Sequence, residues 1–378
     1  MKVQRLKSID IFRGLCMSWM VLTHLIDWWL KSEYNWLHST AIMILDPIGA
    51  SGFLFISGVS ISISYRKRLI KVKSSEDYNY RMVRNSYLFR AAFILIIALI
   101  YNSTVAIRLF NPAMIWTWYV LLTISISILI TWPLLRTSKL FRIMVGVLVI
   151  ILNQVIISFL LPFKGEFDLF GVLFHILYNK INQDPILIFF PFFLFGTVVG
   201  DIIFDTFNEK DENVKRKNFK KILFIPSIII GSTLIILGIL IKFPNFLIRE
   251  SFSWIIYALG IELILLSILL FFEIFEVIKT KKSYKFLFYY SYYSLTIYLA
   301  HNILFFLLYN QLNVFNIWIF ATAAFIIIGT ILRVVYKLWE SKASIKVQLG
   351  KLSLGLTERI EERIKRNLKI AKLYERKN

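Results

Sequence analysis

The sequence predicts an all-α polytopic membrane protein: a bundle of about ten transmembrane helices with both termini cytoplasmic. Three observations carry that expectation. Hydrophobic residues fill 58% of the 378 positions, against ~45–50% in soluble chains, and the mean hydropathy is positive. Apolar runs of the ~20 residues needed to cross ~30 Å of hydrocarbon recur along the whole chain. Basic residues crowd every second connection between those runs.

In chain order, spans are expected near 12–30, 41–63, 90–108, 112–134, 142–162, 185–204, 222–242, 252–278, 287–309 and 314–338. With the N-terminus inside, 38 of the 44 lysines and arginines fall on inner segments. The outer segments hold only Lys31, Arg108, Lys164, Lys180, Lys242 and Arg249. The positive-inside bias therefore explains the net charge of +21, and no nucleic-acid partner is needed. One membrane domain is expected over 1–338, followed by a basic cytoplasmic tail over 339–378. In that tail Leu352, Leu356, Ile360, Ile364 and Leu368 recur every four residues. Such spacing predicts an amphipathic helix, lying on the inner leaflet or pairing with another helix. The outer segment 163–184 has an apolar middle suited to the interface or to dipping back into the membrane. A lone cysteine, Cys16, excludes an internal disulfide. Without HExxH or CxxC spacing, no metal site is expected. The opening "SIDIFRG" and its apolar run lack a small-residue cleavage site, so the first span is expected to stay in the membrane.

Ionisable side chains inside a bilayer cost several kcal/mol unless they face a cavity or a partner, so each is a functional candidate. His24 follows Arg13 by eleven residues, roughly 16 Å along a helix, which places it in the outer half of the membrane. Asp27, at i+3, shares its face. Asp46 enters with the second span at about the same depth, and His38 sits at the outer mouth in "YNWLHSTA". His301 follows Lys285 by sixteen residues and also comes to rest in the outer half. His with a nearby carboxylate is the general acid–base arrangement, so His24 with Asp27 or Asp46 could deprotonate an amine or hydroxyl. Each also has a plain structural reading: a backbone bond for His24 or His301, a helix start for Asp46, a solvated end for Asp27. No G-x-S-x-G elbow supports a serine hydrolase. In the second span "DPIGASGFLFISGVSIS" sets small residues, Gly52 and Gly58 among them, where a ligand or another helix can approach closely. That span ends in Arg66, Lys67 and Arg68, a cytoplasmic polyanion site or simply the topology signal.

"RLKSIDIFRGLCMSWMVLTHLIDWW" followed by "ILDPIGASGFLFISGVSIS" resembles the N-terminal signature of the heparan-alpha-glucosaminide N-acetyltransferase catalytic family. The residues carrying the resemblance are Asp10, Arg13, Gly14, Met20, His24, Trp36, His38, Asp46, Ile56 and Gly58. "DPILIFFPFFLFGTVVGD", with Pro191 and Gly196, and "YSLTIYLAHNILF", with Ser294, Leu295, Tyr298 and His301, are similar to later family segments. The resemblance implies a bundle of ten or eleven transmembrane helices that moves an acetyl group from cytoplasmic acetyl-CoA to an amino sugar across the membrane. It implies a catalytic His near His38, or at His24 with a following acid like Asp27. No counterpart of the lysosomal enzyme's lumenal N-terminal domain is seen, which points to a prokaryotic-type member and away from heparan as acceptor.

The expected protein is thus a multi-pass acyltransferase of the cell membrane, acting on an amino sugar or sugar hydroxyl. His24 or His38 would serve as base or acetyl carrier, Asp27 and Asp46 would orient the imidazoles, and His301 would line the acceptor side. Arg13, Arg66, Lys67 and Arg68 would hold the phosphates of acetyl-CoA, with Gly52 and Gly58 beside its path. Membrane lipids and a glycan acceptor are the expected partners, and a homodimer is left open. The rival is a proton-coupled transporter or flippase with a His/Asp relay; the lack of an evident inverted repeat or broken helix weighs against it.

Overall fold

The computed structural model describes residues 5–75, 78–179, 183–209, 211–277 and 284–375, the side chains of 371–375 excepted. Lys2, Lys180, Lys210, Lys279, Lys281, Lys282, Arg376 and Lys377, counted above as topology signals, lie outside the described residues. The described chain is helical, with one isolated β-bridge, Leu30 to Leu312. Among the described residues, eight helical segments are long and apolar enough to cross a membrane, which makes this an all-α polytopic membrane protein.

Helix α1 (Lys7–Trp29) crosses first. Its first turn is held by Glu273, whose carboxylate accepts from the Lys7 and Ser8 amides at 2.9 and 2.8 Å, where a helix favours negative charge. The expected second span divides. Helix α2 (Asn35–Leu45) buries no residue, a 3₁₀ turn follows at Asp46–Ile48, and α3 (Ala50–Ser74) then runs back, well past the expected end. Pro47 causes the break, since its ring suits a helix start and not an interior. Helix α4 (Tyr80–Arg108) is capped by the Asn79 side chain. The expected span 112–134 is shorter than predicted: a 3₁₀ turn takes Pro112–Trp116, and α5 covers only Val120–Leu134. Next come α6 (Lys139–Leu160) and the short α7 (Leu169–Leu177) within the apolar outer segment. Trp116 and Trp118 both donate to the Ile176 carbonyl of α7 at 2.9 Å.

Helix α8 (Ile186–Phe207) is the most buried span. It lies parallel to α3, and the two make the most extensive helix contact in the molecule. Close approach is possible because small residues meet backbone: a Cβ on Gly58 would lie 2.0 Å from the Phe193 carbonyl oxygen, and one on Gly196 2.1 Å from that of Phe55. Gly196 and Gly200 form a GxxxG pair on the facing side. A buried polar pair braces the same seam: Asp201 binds Arg142 of α6 and accepts from Ser62 of α3 at 2.6 Å. After α9 (Glu212–Asn218), a π turn leads into α10 (Ile225–Leu240), which pairs with α11 (Phe252–Ile274).

The ninth expected span, 287–309, is broken. It consists of α12 (Lys285–Tyr292), α13 (Ser294–Ala300) and a 3₁₀ turn over His301–Phe306. A broken helix was not expected, and it changes the backbone presentation of His301. The last span is α14 (Asn316–Trp339), followed by α15 (Ile345–Glu375). Of the two placements open to the tail helix, α15 takes pairing, against α4. The contact face differs from the expected Leu stripe: Ser353, Thr357 and Glu361 are buried, while Leu352 and Leu368 are exposed. Small and hydrogen-bonding residues allow a closer approach to α4 than a Leu row would.

Valine at Gly58 must displace the α8 backbone, so Gly58→Val is expected to cost about 3 kcal/mol or more. Gly355→Ala, with nothing within 4 Å of the new Cβ, is expected to stay within ~0.5 kcal/mol of the parent. Thermal unfolding of both variants in detergent checks the contrast; equal midpoints would remove the seam's role.

Candidate functional site

Helix α1 carries polar groups at both ends, and each end has its own cluster. At the His24 end, the His24 and His301 rings stand 5.0 Å apart between centroids. Trp28 stacks on both, at 4.9 Å from His24 and 5.6 Å from His301. Phe305 closes the far side of Trp28 edge-on at 5.7 Å. Nδ1 of His301 lies 2.5 Å from the Tyr298 carbonyl oxygen. A carbonyl only accepts, so Nδ1 carries the proton and the lone pair is on Nε2. That Nε2 is buried and has no hydrogen-bond partner among the described residues. Tyr298 and Tyr101 extend the aromatic wall, and Tyr101 accepts from the Asn302 amide at 2.8 Å.

Asp27 does not orient His24. It faces outward and pairs with His38 Nδ1 at 3.7 Å. The reason is rotational: the His24 ring turns toward the 3₁₀ turn at His301, while Asp27, half-exposed, turns toward α2. Of the two carboxylates expected to face imidazoles, Asp27 thus meets that of His38, whereas Asp46 meets a guanidinium. Its carboxylate meets Arg249 Nε at 2.9 Å, and Arg249 Nη2 donates to Asp184 at 2.7 Å. One guanidinium therefore bridges the segments leading into α3 and α8, each of which contains Asp-Pro-Ile (46–48 and 184–186). His301, His38 and Arg249 are titratable groups near His24. Asp184 and Arg249 had not been singled out from sequence; the repeated Asp-Pro-Ile was the available signal.

At the other end of α1, Arg5 donates to both oxygens of Asp10, at 2.6 and 3.0 Å. Arg13 binds Ser60 of α3 and reaches Ser291 of α12 at 3.5 Å. Beside them opens a cavity of 310 Å³, lined by Arg5, Asp10, Ser60, Ser64 and Lys67 together with apolar side chains. The Arg66-Lys67-Arg68 run does not act as one patch, because successive helix residues point ~100° apart. Lys67 lines this cavity, Arg68 donates to Ser86 of α4, and Arg66 pairs with Asp205 and borders a separate cavity. Gly52 and Gly58 are both taken up by helix packing, Gly52 against Cys16 and Phe12 and Gly58 against α8. No group of three or more His, Cys, Asp or Glu among the described residues is placed to hold a metal ion.

Two polar clusters on one apolar helix suit a reaction whose reactants arrive from opposite ends. The family model for the catalytic region of heparan-alpha-glucosaminide N-acetyltransferase matches residues 5–244. The chain belongs to this family. Among curated proteins, none matches the chain. In this membrane acetyltransferase family member, the matched region includes His24, Arg13, Asp46 and Asp184, while His301 and Arg249 lie beyond it.

Removing Arg249 leaves two facing carboxylates without their cation. Arg249→Met is expected to cost about 3–5 kcal/mol, read as a lowered unfolding midpoint, with a smaller loss in acid, where the carboxyls protonate. Asp184 lies in the loop before α8, and burial raises its carboxyl to about 6 against the pull of Arg249, with Asp46 adding to the rise. The folded chain holds this proton more tightly than the unfolded one. Its stabilising contribution is therefore full below about pH 4 and is lost as pH rises through the folded value. Asp184→Asn is expected to flatten the fall in unfolding midpoint between about pH 4 and pH 6; an unchanged slope would assign that fall elsewhere.

Proposed function

We propose that this protein takes an acetyl group from acetyl-CoA held at the Arg13 end and delivers it to an amino-sugar nitrogen or sugar hydroxyl at the His24 end. The observation that carries the reading is the buried, unpartnered Nε2 of His301 beside His24. Its tautomer is set by the Tyr298 carbonyl, so the lone pair faces the site rather than the backbone. The Arg5, Arg13 and Lys67 side chains supply positive charge at the opposite end, suited to phosphates. The two ends are roughly 16 Å apart along α1, comparable to the extended pantetheine arm of such a donor. Concentration of basic residues at the Arg13 end supports a cytoplasmic donor, an outer acceptor and residence in the cell membrane.

In the direct reaction, the acceptor nitrogen or oxygen attacks the thioester carbonyl as Nε2 of His301 takes its proton. The new bond forms, the C–S bond breaks, and the imidazolium returns the proton to the departing thiolate. The Tyr298 carbonyl on Nδ1–H steadies the imidazolium in between. An acetyl group resting on Nε2 itself would use the same lone pair in two steps. His24 and Trp28 wall the imidazole, and the His38–Asp27 pair at the mouth suits the sugar hydroxyls of an acceptor.

The test is acetyl transfer from labelled acetyl-CoA to glucosamine by purified protein. His301→Ala is expected to lower the rate ~10²–10⁴-fold, and His24→Ala and His38→Ala by less. Full activity in His301→Ala would overturn the assignment of the base. Absence of transfer from acetyl-CoA to any amino sugar or sugar hydroxyl, with substrate-coupled proton flux in liposomes instead, would favour a transporter.

A further inference from the structure

Lys346 lies on the first turn of α15, outside the matched region, yet its ammonium reaches the Arg13 cluster. Nζ donates to the Ser291 carbonyl at 2.5 Å. Ser291 Oγ donates to Asp10 at 3.1 Å and accepts from Arg13. The charges acting on Lys346 are those of Arg13, Asp10, Arg90 and Arg5. Arg90, from α4, borders with Arg68 a small recess on the other side of Ser64 from the main cavity. Lys346, Arg13 and Arg5 thus gather about Asp10, Arg90 adds its charge to Lys346 and Arg13, and Arg5 already engages both Asp10 oxygens. Burial presses the Lys346 ammonium well below the ordinary lysine range, and Arg13, Arg90 and Arg5 add to that push against Asp10. An anionic ligand would relieve that repulsion.

The helix that brings Lys346 is fastened at two points. Near its start, Ser344 donates to the Tyr292 carbonyl at 2.9 Å and the Ile345 amide to Thr296 at 3.2 Å. Four turns on, Glu361 accepts from Asn79 at 3.3 Å and pairs with Arg81 at 3.4 Å. Both partners of Glu361 belong to the capped start of α4, the helix that also carries Arg90.

We propose that α15 is a strap closing a phosphate site at the Arg13 end, with Lys346 contacting the bound phosphate or diphosphate alongside Arg13 and Arg90. The inference deepens the reading above, whose donor carries such phosphates. The strap makes closure of the site depend on a segment outside the region common to the family model.

The experiment measures binding of CoA and of inorganic pyrophosphate to the detergent-purified full chain, for the parent, Lys346→Met, Lys346→Arg and Glu361→Gln. The parent is expected to bind both. Lys346→Met is expected to weaken both by about tenfold, Lys346→Arg to retain most of the affinity, and Glu361→Gln to weaken binding by less. Either ligand is expected to slow tryptic cleavage within α15. Equal affinity in the parent and Lys346→Met would overturn the strap while leaving the donor reading intact. Loss in Lys346→Met with a lowered ligand-free unfolding midpoint, and no recovery in Lys346→Arg, would assign Lys346 to folding and overturn it too. Parent protein that binds pyrophosphate but not CoA, with the expected loss in Lys346→Met, would uphold the site and remove acetyl-CoA as donor. Binding of neither would remove both.

Discussion

The backbone-to-backbone approach of α3 and α8 is the constraint on which the rest of the molecule depends. Within a bilayer, helices gain little from burying apolar surface against one another, and contact geometry has to come from packing and polar bonds. Gly58 and Gly196 each meet a carbonyl of the opposite helix, so the two helices are fixed in register as well as in distance. Register matters because an Asp-Pro-Ile leads into each helix, and in this register one guanidinium reaches both Asp46 and Asp184. Arg249 then ties the entry to α11 to the same point. The glycine seam and the ion triad thus hold the same two helices at separate points along their length.

Helix α1 transmits that geometry to both functional ends. It packs on α3 through Phe12 and Cys16 around Gly52, and on the broken ninth span through Gly14, whose absent side chain admits the Leu287 carbonyl. The broken span runs parallel to α1. Contact at Leu287 therefore sets Ser291 beside Arg13 and, ten residues on, His301 beside His24. Interruption near Tyr293 and the change to a 3₁₀ turn at His301 rotate the imidazole onto the Tyr298 carbonyl while it still faces His24. A continuous α-helix would keep the spacing and lose that orientation.

Much of the fold was legible because hydropathy and length set where helices cross, and the ten expected spans correspond to eight long helical segments and two shorter apolar stretches. The lengths failed where Pro47 and Pro112 stand, and at the broken ninth span, since hydropathy measures apolarity and carries little information about backbone continuity. Within the site, the depth of His24 and His301 could be read by counting residues. Their pairing could not, because rotation about each axis comes from packing. Asp27 illustrates the point: spacing placed it on the face of His24, yet its partner is His38, eleven residues away across a turn. The tail followed the same logic. Leu352 to Leu368 form a real stripe, but the neighbouring Ser353, Thr357 and Glu361 stripe permits the closer approach and therefore makes the contact.

The polar groups inside the bundle divide by how they are satisfied. Asp201 is enclosed by Arg142 and Ser62, and Asp46 and Asp184 share Arg249. Paired in this way, buried charges hold helices in register, and removing one partner costs more than the pair ever contributed. His301 differs because one ring nitrogen is bonded and the other is not. A purely structural histidine in the membrane gains by satisfying both nitrogens, since no water lies nearby to do so. An unpaired Nε2 within an aromatic enclosure leaves a shielded lone pair, which fits the proton acceptor proposed above. The same helices thus hold two kinds of buried polar group: closed ion pairs such as Asp201–Arg142, and groups such as His301, whose Nε2 has no hydrogen-bond partner among the described residues.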